Sequence, residues 1–306
     1  MPIYLPVPIV DQTIWGSNRL NKLRYNRDEI GGTSWEISFH DYGSNALVNA
    51  EGTLRDHLED NPEAMIGSID PKRLLRLCYL AAKEWLSIQL HPNHEYASRE
   101  NIGDNGKYEA WFIIEADENA TLKAGTHIKS LEQLKASIED GSIVEQMIDH
   151  PVKAGDFIYI PAGTLHALGA GIVAIEVGTN SNTTYRVYDY GRTNDQGQPR
   201  ELHVQQVLET VDLSLKPQVV SVEPLVNEIQ ILTENDQFTV AYLEFEGVLE
   251  FGLMGSPLYL TILEGEITIN DMGVKTFDNL FVSSDVQTLL IEGKGRLLIS
   301  YTTEFD

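Results

Sequence analysis

The chain has 306 residues, of which 46 are acidic and 22 are basic, so its formal charge at neutral pH is −24. A protein with this charge repels the nucleic-acid backbone, which argues against a nucleic-acid partner. The single cysteine, Cys78, excludes a disulfide framework and a cysteine-rich zinc finger. Hydrophobic residues make up 42% of the chain, enough to bury the cores of two modest domains.

The N-terminal stretch MPIYLPVPIVDQTIWG lacks a basic region and contains three prolines, which is not the pattern of a signal peptide. No stretch approaches the roughly 20 uninterrupted apolar residues that a membrane-spanning helix needs. These features predict a soluble cytoplasmic protein with no membrane partner. We expect it to be a monomer or a weak homodimer.

Helical signals are few. Residues 53–67 predict a helix, within an insertion at about 53–70, and further helices are predicted at 130–141 and 201–211. The run RLLRLCYLAAKEWLSIQL (73–90) is largely apolar and fits a strand or a buried helix. At least its end is expected to be a strand, because it leads into a proline.

Most other elements are short extended segments rich in β-branched and aromatic residues and bounded by Gly, Asp or Asn. Examples are FIYI (157–160), VAIEV (173–177), FTVAYLEF (238–245) and RLLISY (296–301). Many short strands with turn signals between them predict an all-β sandwich or barrel.

Two parts of the chain are similar in sequence. VKAGDFIYIPAGTLHALGAGIVAIEV (152–177) resembles VKTFDNLFVSSDVQTLLIEGKGRLLIS (274–300), and residues 106–116 match 255–265 in pattern. Each copy has the pattern of paired strands, a turn and further strands. The sequence therefore predicts an internal repeat of one β unit.

Polar residues that suit chemistry occur only in the first copy, because the second copy has Leu and Thr in their place. We therefore predict a catalytic domain over residues 1–212 and a smaller, metal-free β domain over residues 213–306. The aligned pairs are Glu109 with Leu258 and His166 with Thr288.

The motif GDFIYIPAGTLH (155–166) has the spacing G-x5-P-x-G-x2-H, which is typical of a strand, a Pro-Gly turn and a histidine at the start of the next strand. A rigid turn fixes the imidazole of His166, as a metal ligand requires. The motif resembles the second signature of the cupin superfamily, with Ala170 in place of its closing Asn. This resemblance implies a cupin β-barrel, or jelly roll, with a helical insertion.

Three more residues have the chemistry of metal ligands. In SIQLHP, Gln89 and His91 are two positions apart, so on a strand their side chains share a face. In GKYEAW, Glu109 begins the next strand and shares its face with Lys107. Together with His166 these residues offer nitrogen and oxygen donors without a thiolate. Such a set suits a divalent ion, and zinc is the natural choice for a catalytic site.

The blocks WLSIQLHPNHEYA, GKYEAWFII, FIYIPAGTLHALGAG and NTTYRVYDYGR together resemble the type I mannose-6-phosphate isomerases in their short bacterial form. TIWG (13–16) and SWEIS (34–38) resemble the N-terminal signatures of that family, and all blocks follow the family's order. The resemblance implies one zinc ion per chain, with the ligands Gln89, His91, Glu109 and His166.

The resemblance also implies a reaction, the interconversion of mannose 6-phosphate and fructose 6-phosphate through a cis-enediol. The active-site arginine of the family falls on Arg186, and its phosphate-side serine and lysine fall on Ser87 and Lys107. Lys107 and Arg186 supply the positive charge that a sugar phosphate needs. Proton transfer between two carbon atoms needs a base, for which Glu176 is the candidate carboxylate. Lys107, Glu176 and Arg186 are therefore the predicted catalytic residues.

Two other functions stay open, because the sequence departs from the family at some positions. VGTNSN (177–182) stands where the family usually has a Gln-Gln pair, and Asn93 and His94 replace paired acids. We expect these positions to line the pocket, which leaves room for a cupin isomerase of another sugar phosphate. A non-enzymatic, metal-anchored sugar-binding cupin is the other alternative, and Lys107 and Arg186 argue against it.

Overall fold

The computed structural model describes residues 3–193, 196–253 and 255–303. Antiparallel strands dominate it and form sheets of seven, five and eight strands and one small hairpin. This architecture confirms the all-β fold class. The strands are β1 (Ile3–Tyr4), β2 (Ile9–Asp11), β3 (Thr33–Ile37), β4 (Phe39–His40), β5 (Gly43–Ser44), β6 (Leu75–Ala81), β7 (Ile88–Leu90), β8 (Glu109–Ala116), β9 (Thr121–Thr126), β10 (Met147–Pro151), β11 (Asp156–Ile160), β12 (His166–Ala167), β13 (Ile172–Thr179), β14 (Tyr185–Tyr188), β15 (Val220–Ser221), β16 (Glu228–Glu234), β17 (Phe238–Gly252), β18 (Leu258–Glu264), β19 (Glu266–Ile269), β20 (Met272–Lys275), β21 (Asn279–Val282) and β22 (Thr288–Thr302).

The predicted helices are present. Residues 53–67 form two short helices, because Asn61 and Pro62 interrupt them after the capping box of Thr53 and Asp56. No helix in the described ranges has the length and apolar character needed to cross a membrane. The helices are α1 (Arg19–Tyr25), α2 (Leu54–Asp60), α3 (Pro62–Ile66), α4 (His94–Arg99), α5 (Leu131–Asp140), α6 (Ile143–Gln146) and α7 (Val204–Thr210), with a 3-10 turn at Pro71–Arg73.

Two of the sheets face each other. The seven-stranded sheet has the order β15-β11-β8-β13-β6-β3-β2, and the five-stranded sheet has the order β10-β9-β12-β7-β14. Apolar side chains from both sheets form a common core between them, and helices α5, α6 and α7 cover the outer face of the five-stranded sheet. The shared core includes Leu80, Trp111, Ile113 and Ile158 from the larger sheet. From the smaller sheet it includes Leu122 and Ala124 on β9, together with Leu168, which directly follows β12.

Strand β6 is buried along its whole length because both of its faces are covered. Successive side chains of a strand point to opposite faces. Leu75, Leu77 and Tyr79 belong to a core shared with the C-terminal sheet, whereas Arg76 and Cys78 point between the two facing sheets. Because both faces of β6 are buried, its sequence does not alternate between apolar and polar residues. This is why the run 73–90 could not be identified as a strand from its pattern alone. The run forms β6, a loop and β7, so its predicted end as a strand is confirmed.

The C-terminal eight-stranded sheet repeats the pairing of the seven-stranded one. Strand β18 lies between β21 and β22, just as β8 lies between β11 and β13. Leu258 begins β18 at the place where Glu109 begins β8. The predicted repeat is therefore present in the topology. The division at residues 212 and 213 stays a prediction, and β1 pairs with β21 across it.

Candidate active site

Three side chains with metal-binding atoms meet between the two facing sheets. His91 directly follows β7, Glu109 is the first residue of β8, and His166 is the first residue of β12. The Nε2 atom of His91 lies 3.2 Å from Oε2 of Glu109, and Nε2 of His166 lies 3.0 Å from Oε1. All three residues are buried, and their ligand atoms lie within 4.8 Å of one another.

The turn that the motif predicts before His166 is present. Thr164 donates a backbone hydrogen bond to the carbonyl of Pro161, which closes the turn. Gly163 has a φ of +82° in it, a conformation that favours glycine. The N–H of Gly163 also donates to the carbonyl of His91, at 2.8 Å. The turn therefore ties the two histidines together through the backbone.

Backbone carbonyls fix the orientation of both imidazoles. Nδ1–H of His91 donates to the carbonyl oxygen of Thr183 at 2.8 Å, and Nδ1–H of His166 donates to that of Thr164 at 2.9 Å. Each ring then presents the lone pair of Nε2 to Glu109, as histidine ligands of metals do. Burial, with the nearby charge of Lys107, lowers the pKa of His91 to about 4, so its ring is neutral at neutral pH.

Several polar atoms at the centre of this cluster lack a well-formed hydrogen bond. Nε2 of His91 and both carboxylate oxygens of Glu109 are buried and make no hydrogen bond of normal geometry, although the ammonium of Lys107 lies 2.7 Å from Oε2 of Glu109. Leaving such atoms unpaired in the interior costs roughly 1–3 kcal/mol each. A cation held between them would satisfy all three, and imidazole with carboxylate is a donor set that divalent metals accept. The residues therefore fit a metal ion.

Gln89 lies directly beside the cluster. In strand pairing it is opposite His166 on β12 and opposite Arg186 on β14, so the three side chains share one face. Its Nε2 lies 3.4 Å from Nε2 of His166, and its Oε1 accepts a hydrogen bond from Oγ of Ser87 at 3.3 Å. Turning the amide over would bring its oxygen, the atom that binds metals, to His166.

Lys107 lies between two carboxylates. Its Nζ is 2.7 Å from Oε2 of Glu109 and 2.9 Å from Oε1 of Glu176. The segment reaches this position through Gly106, where a Cβ would lie 2.3 Å from the carbonyl carbon of Asn93. Any larger residue would clash with the backbone of Asn93 and displace this segment. Glycine at position 106 therefore allows Lys107 to lie beside the cluster.

These contacts decide the charges of the buried groups. Burial alone would lower the pKa of Lys107, but Glu109 and Glu176 raise it above its usual value. Burial would raise the pKa of Glu109, but Lys107 and the two histidines hold it well below its usual value. At neutral pH the site therefore contains an ammonium group and an ionised Glu109.

Glu176 lies at the middle of β13, opposite Trp111 on β8 and Cys78 on β6. Trp111 Nε1–H donates to Oε2 of Glu176 at 3.4 Å, and Nη2 of Arg76 lies 3.7 Å from Oε1. Burial raises the pKa of Cys78 to about 12, so this thiol stays protonated, as an inert residue would. The carboxylate of Glu176 thus has Lys107 and Arg76 as cationic neighbours.

Arg186 points into the same space from β14. Its backbone N–H donates to Nδ1 of His203 at 3.0 Å, and its Nη1 donates to the carbonyl of Glu201 at 2.9 Å. Its Nε is buried without a hydrogen-bond partner. Burial, with the charge of Arg200, lowers the pKa of Arg186. The N–H group on Nε of Arg186 can therefore donate a hydrogen bond to a ligand in this space.

A cavity of about 250 Å³ lies next to the cluster. The structure brings all eight predicted site residues to one place, with the buried triad His91, Glu109 and His166 beside this cavity. A larger cleft, of about 1200 Å³, lies near α2 and α4, but its lining includes none of the eight. The predicted residues that line the smaller cavity are Ser87, Gln89, Lys107, Glu176 and Arg186.

Sequence reasoning missed several residues of this cavity. Trp111 is one, although it lies two positions after Glu109 on the same strand and could have been inferred from the period of two. Arg200 is another, and no spacing pattern pointed to it. Asn182 lines the cavity, as expected of the 177–182 segment, but Asn93 and His94 do not. That expectation was wrong because Asn93 caps α4 and His94 bonds to Gln237 in the larger cleft.

The comparison with curated proteins decides the family. A probable mannose-6-phosphate isomerase of Bacillus subtilis, GmuF, is 34% identical over 319 residues, covering 98% of this chain and 99% of the relative. The chain belongs to the mannose-6-phosphate isomerase family. The mannose-6-phosphate isomerase of Streptococcus mutans is 32% identical over 305 residues and covers 95% of both chains. No protein-family model matches the chain.

Solved structures of mannose-6-phosphate isomerases share the fold. The crystal structure of the Bacillus subtilis enzyme has a TM-score of 0.86 at 27% identity, and the alignment covers 98% of this chain and 99% of the other. A zinc-bound mannose 6-phosphate isomerase has a TM-score of 0.77 at 17% identity, which shows the same fold. The cupin architecture expected from the sequence is therefore confirmed for the whole described chain.

Proposed function

We propose that this protein is a metal-dependent aldose–ketose isomerase that interconverts mannose 6-phosphate and fructose 6-phosphate through a cis-enediol. The observation that carries the proposal is the buried His91–Glu109–His166 cluster, which adjoins the Lys107–Glu176 ion pair that lines the cavity. Isomerisation through an enediol needs a base for the carbon-bound proton and positive charge beside the sugar oxygens, and this arrangement offers both. The membership of the chain in the mannose-6-phosphate isomerase family supports the same substrate.

We assign one zinc ion per chain to Gln89, His91, Glu109 and His166. Two imidazoles, a carboxylate and an amide oxygen form a mixed nitrogen and oxygen set that zinc accepts. When bound, the ion would act as a Lewis acid on the sugar oxygens at C1 and C2. The protein's own contribution is to fix the two histidine tautomers through Thr183 and Thr164.

The proton transfer falls to Glu176 and Lys107. In the direction from aldose to ketose, a base removes the proton from C2 and a proton is later delivered to C1, so the sugar keeps its composition. We assign the Glu176 carboxylate as this base, because it lines the cavity and touches Lys107. The Lys107 ammonium, 2.9 Å from Oε1 of Glu176, is placed to donate a hydrogen bond to an oxygen of the enediol.

The surroundings expected for this enzyme follow from its substrate. Sugar phosphates are intracellular metabolites, so we place the enzyme in the cytoplasm, with a small-molecule substrate and neither a nucleic-acid nor a membrane partner. We propose a monomer or a weak homodimer. Size-exclusion chromatography with light scattering at several concentrations tests this assembly state.

A substrate panel tests the proposed reaction. We expect coupled assays to show turnover with mannose 6-phosphate well above that with other hexose 6-phosphates, and to show its loss on chelation of the metal. Turnover that is fastest with a different hexose 6-phosphate would establish an isomerase of another sugar phosphate. Metal-dependent sugar binding without turnover of any of them would establish a binding protein instead.

Replacement of Arg186 by lysine tests how the guanidinium contributes. Arg186→Lys keeps a positive charge but removes the planar donor pair and the unpaired Nε. We expect kcat to fall by about a hundredfold or more, the size of a lost contact to a developing oxyanion. Metal content, measured by elemental analysis, should not change. A rise in KM at constant kcat would instead assign Arg186 to phosphate binding alone.

A further inference from the structure

Two arginines, Arg192 and Arg200, bind the carboxylate of Asp189 close to Arg186. Asp189, just after β14, accepts from Nε of Arg200 at 2.7 Å and from Nη2 of Arg200 and Nη2 of Arg192, each at 2.5 Å. Arg186 lies close enough for the charge of Arg200 to lower its pKa, together with burial. Three guanidinium groups against the carboxylates of Asp189 and Glu201 leave a net positive local charge in a chain of formal charge −24.

The two cations deeper in the cavity are already neutralised. Lys107 contacts both Glu109 and Glu176, and Arg76 lies beside Glu176. A phosphate dianion placed against Lys107 would therefore meet two carboxylates as well as one ammonium. The resemblance to the family assigned the phosphate side to Lys107, but these ion pairs leave Lys107 little net charge to offer.

Arg200 is placed differently. Its side chain lines the cavity and is 25% exposed, so it lies at the mouth, on the side of Arg186. Nε and Nη2 of Arg200 donate to the two carboxylate oxygens of Asp189, and this pair of hydrogen bonds fixes the plane of the guanidinium. Nη1 of Arg200 takes no part in the pair. A guanidinium held in this way loses little side-chain entropy when it binds an anion.

We propose that Arg200 is the principal phosphate-binding residue of this protein, with Asp189 as its positioning residue. The sugar would then lie with its phosphate at the mouth and its C1 and C2 end toward the metal cluster. Arg186, which is paired in register with Gln89, lies between the two ends. The proposal rests on the proposed function for the identity of the sugar, but the phosphate subsite itself depends only on the charges of this cluster.

The test uses two probes, inorganic phosphate and mannose 6-phosphate, on the metal-loaded protein. Arg200→Gln should weaken the binding of inorganic phosphate, measured by titration calorimetry, by about tenfold or more, the scale of one hydrogen bond between charged groups. It should raise KM for mannose 6-phosphate by a similar factor and leave kcat within a few-fold. KM for unphosphorylated mannose, if that sugar turns over, should not change.

Arg192→Gln is the matched control, because Arg192 shares Asp189 and donates to the carbonyl of Trp85 but does not line the cavity. It should weaken the binding of phosphate much less than Arg200→Gln does, because Arg192 adds charge from outside the cavity but no direct contact. Equal losses in the two variants would show that the cluster only holds the loop together, and an unchanged affinity in Arg200→Gln would overturn the proposal. If the protein turns over no sugar phosphate, the calorimetric comparison still decides whether the subsite exists.

Discussion

Replacement of His166 by alanine is expected to abolish metal binding and catalysis together. His166 supplies one of the nitrogen atoms aimed at Glu109, and within the described part of the chain no fourth His, Cys, Asp or Glu joins this group to replace it. Because Lewis-acid polarisation contributes several kcal/mol and each 1.4 kcal/mol or so is a tenfold effect, we expect kcat to fall by roughly a thousandfold. Elemental analysis of the purified variant should show less than one metal ion per chain, and circular dichroism should show an intact fold.

Thr288→Ala is the control for this experiment. Thr288 is exposed at the start of β22, in the position that the internal repeat aligns with His166. Because we predict no metal and no chemistry in the C-terminal unit, this variant should keep its metal and its kcat within a few-fold. Full metal content in His166→Ala would disprove the ligand assignment. A large loss of kcat in Thr288→Ala at an unchanged Tm would instead show that the second unit takes part in catalysis.

Replacement of Glu176 by glutamine is expected to remove the base and to keep the metal. The amide has the same shape as the carboxylate, but its single oxygen can accept a hydrogen bond from only one of Trp111 and Lys107, and it cannot accept a proton from carbon. Loss of a general base costs about 10² to 10⁴ in rate, and we expect kcat to fall within this range. The exchange of the C2 proton of mannose 6-phosphate into D₂O, followed by NMR, should slow by the same factor.

Glu115→Gln provides the matched substitution on a neighbouring strand. Glu115 lies on β8, and its ion pair with Arg19 is at the surface, with 40% of its side chain exposed. This variant should keep the rate of the unaltered protein. If Glu176→Gln also kept that rate, the base would be another group. If Glu176→Gln lost its metal, Glu176 would hold the site together rather than transfer protons.

The residues of the site could be predicted because their spacing in the sequence is local. Gln89 and His91 share a strand face, and the Pro-Gly turn before His166 has a strong signal in the sequence. Arg200 could not be found in this way, because it reaches the cavity only through its ion pair with Asp189, which no period in the sequence encodes. Long-range contacts of this kind depend on how the loops pack.

The all-β class of the fold could be predicted from the sequence, but the way in which its sheets pack on one another could not. The short strands and the repeat indicated a β architecture, and the topology of β8 and β18 confirms the repeat. The run 73–90 was ambiguous because β6 is covered on both faces, which removes the alternation that normally identifies a strand. The segment 53–67 is helical as predicted, beginning after the capping box of Thr53, but its interruption at Pro62 was not anticipated.

The pairing of β1 with β21 has a consequence for how the protein folds. Ile3 lies opposite Val282, so the first described residues complete a sheet made from the end of the chain. During synthesis this strand must stay unpaired until almost all of the protein has left the ribosome. Contacts between such distant segments close large loops and slow folding. A bulky fusion at the N-terminus would therefore disturb the last part of the protein to form rather than the first.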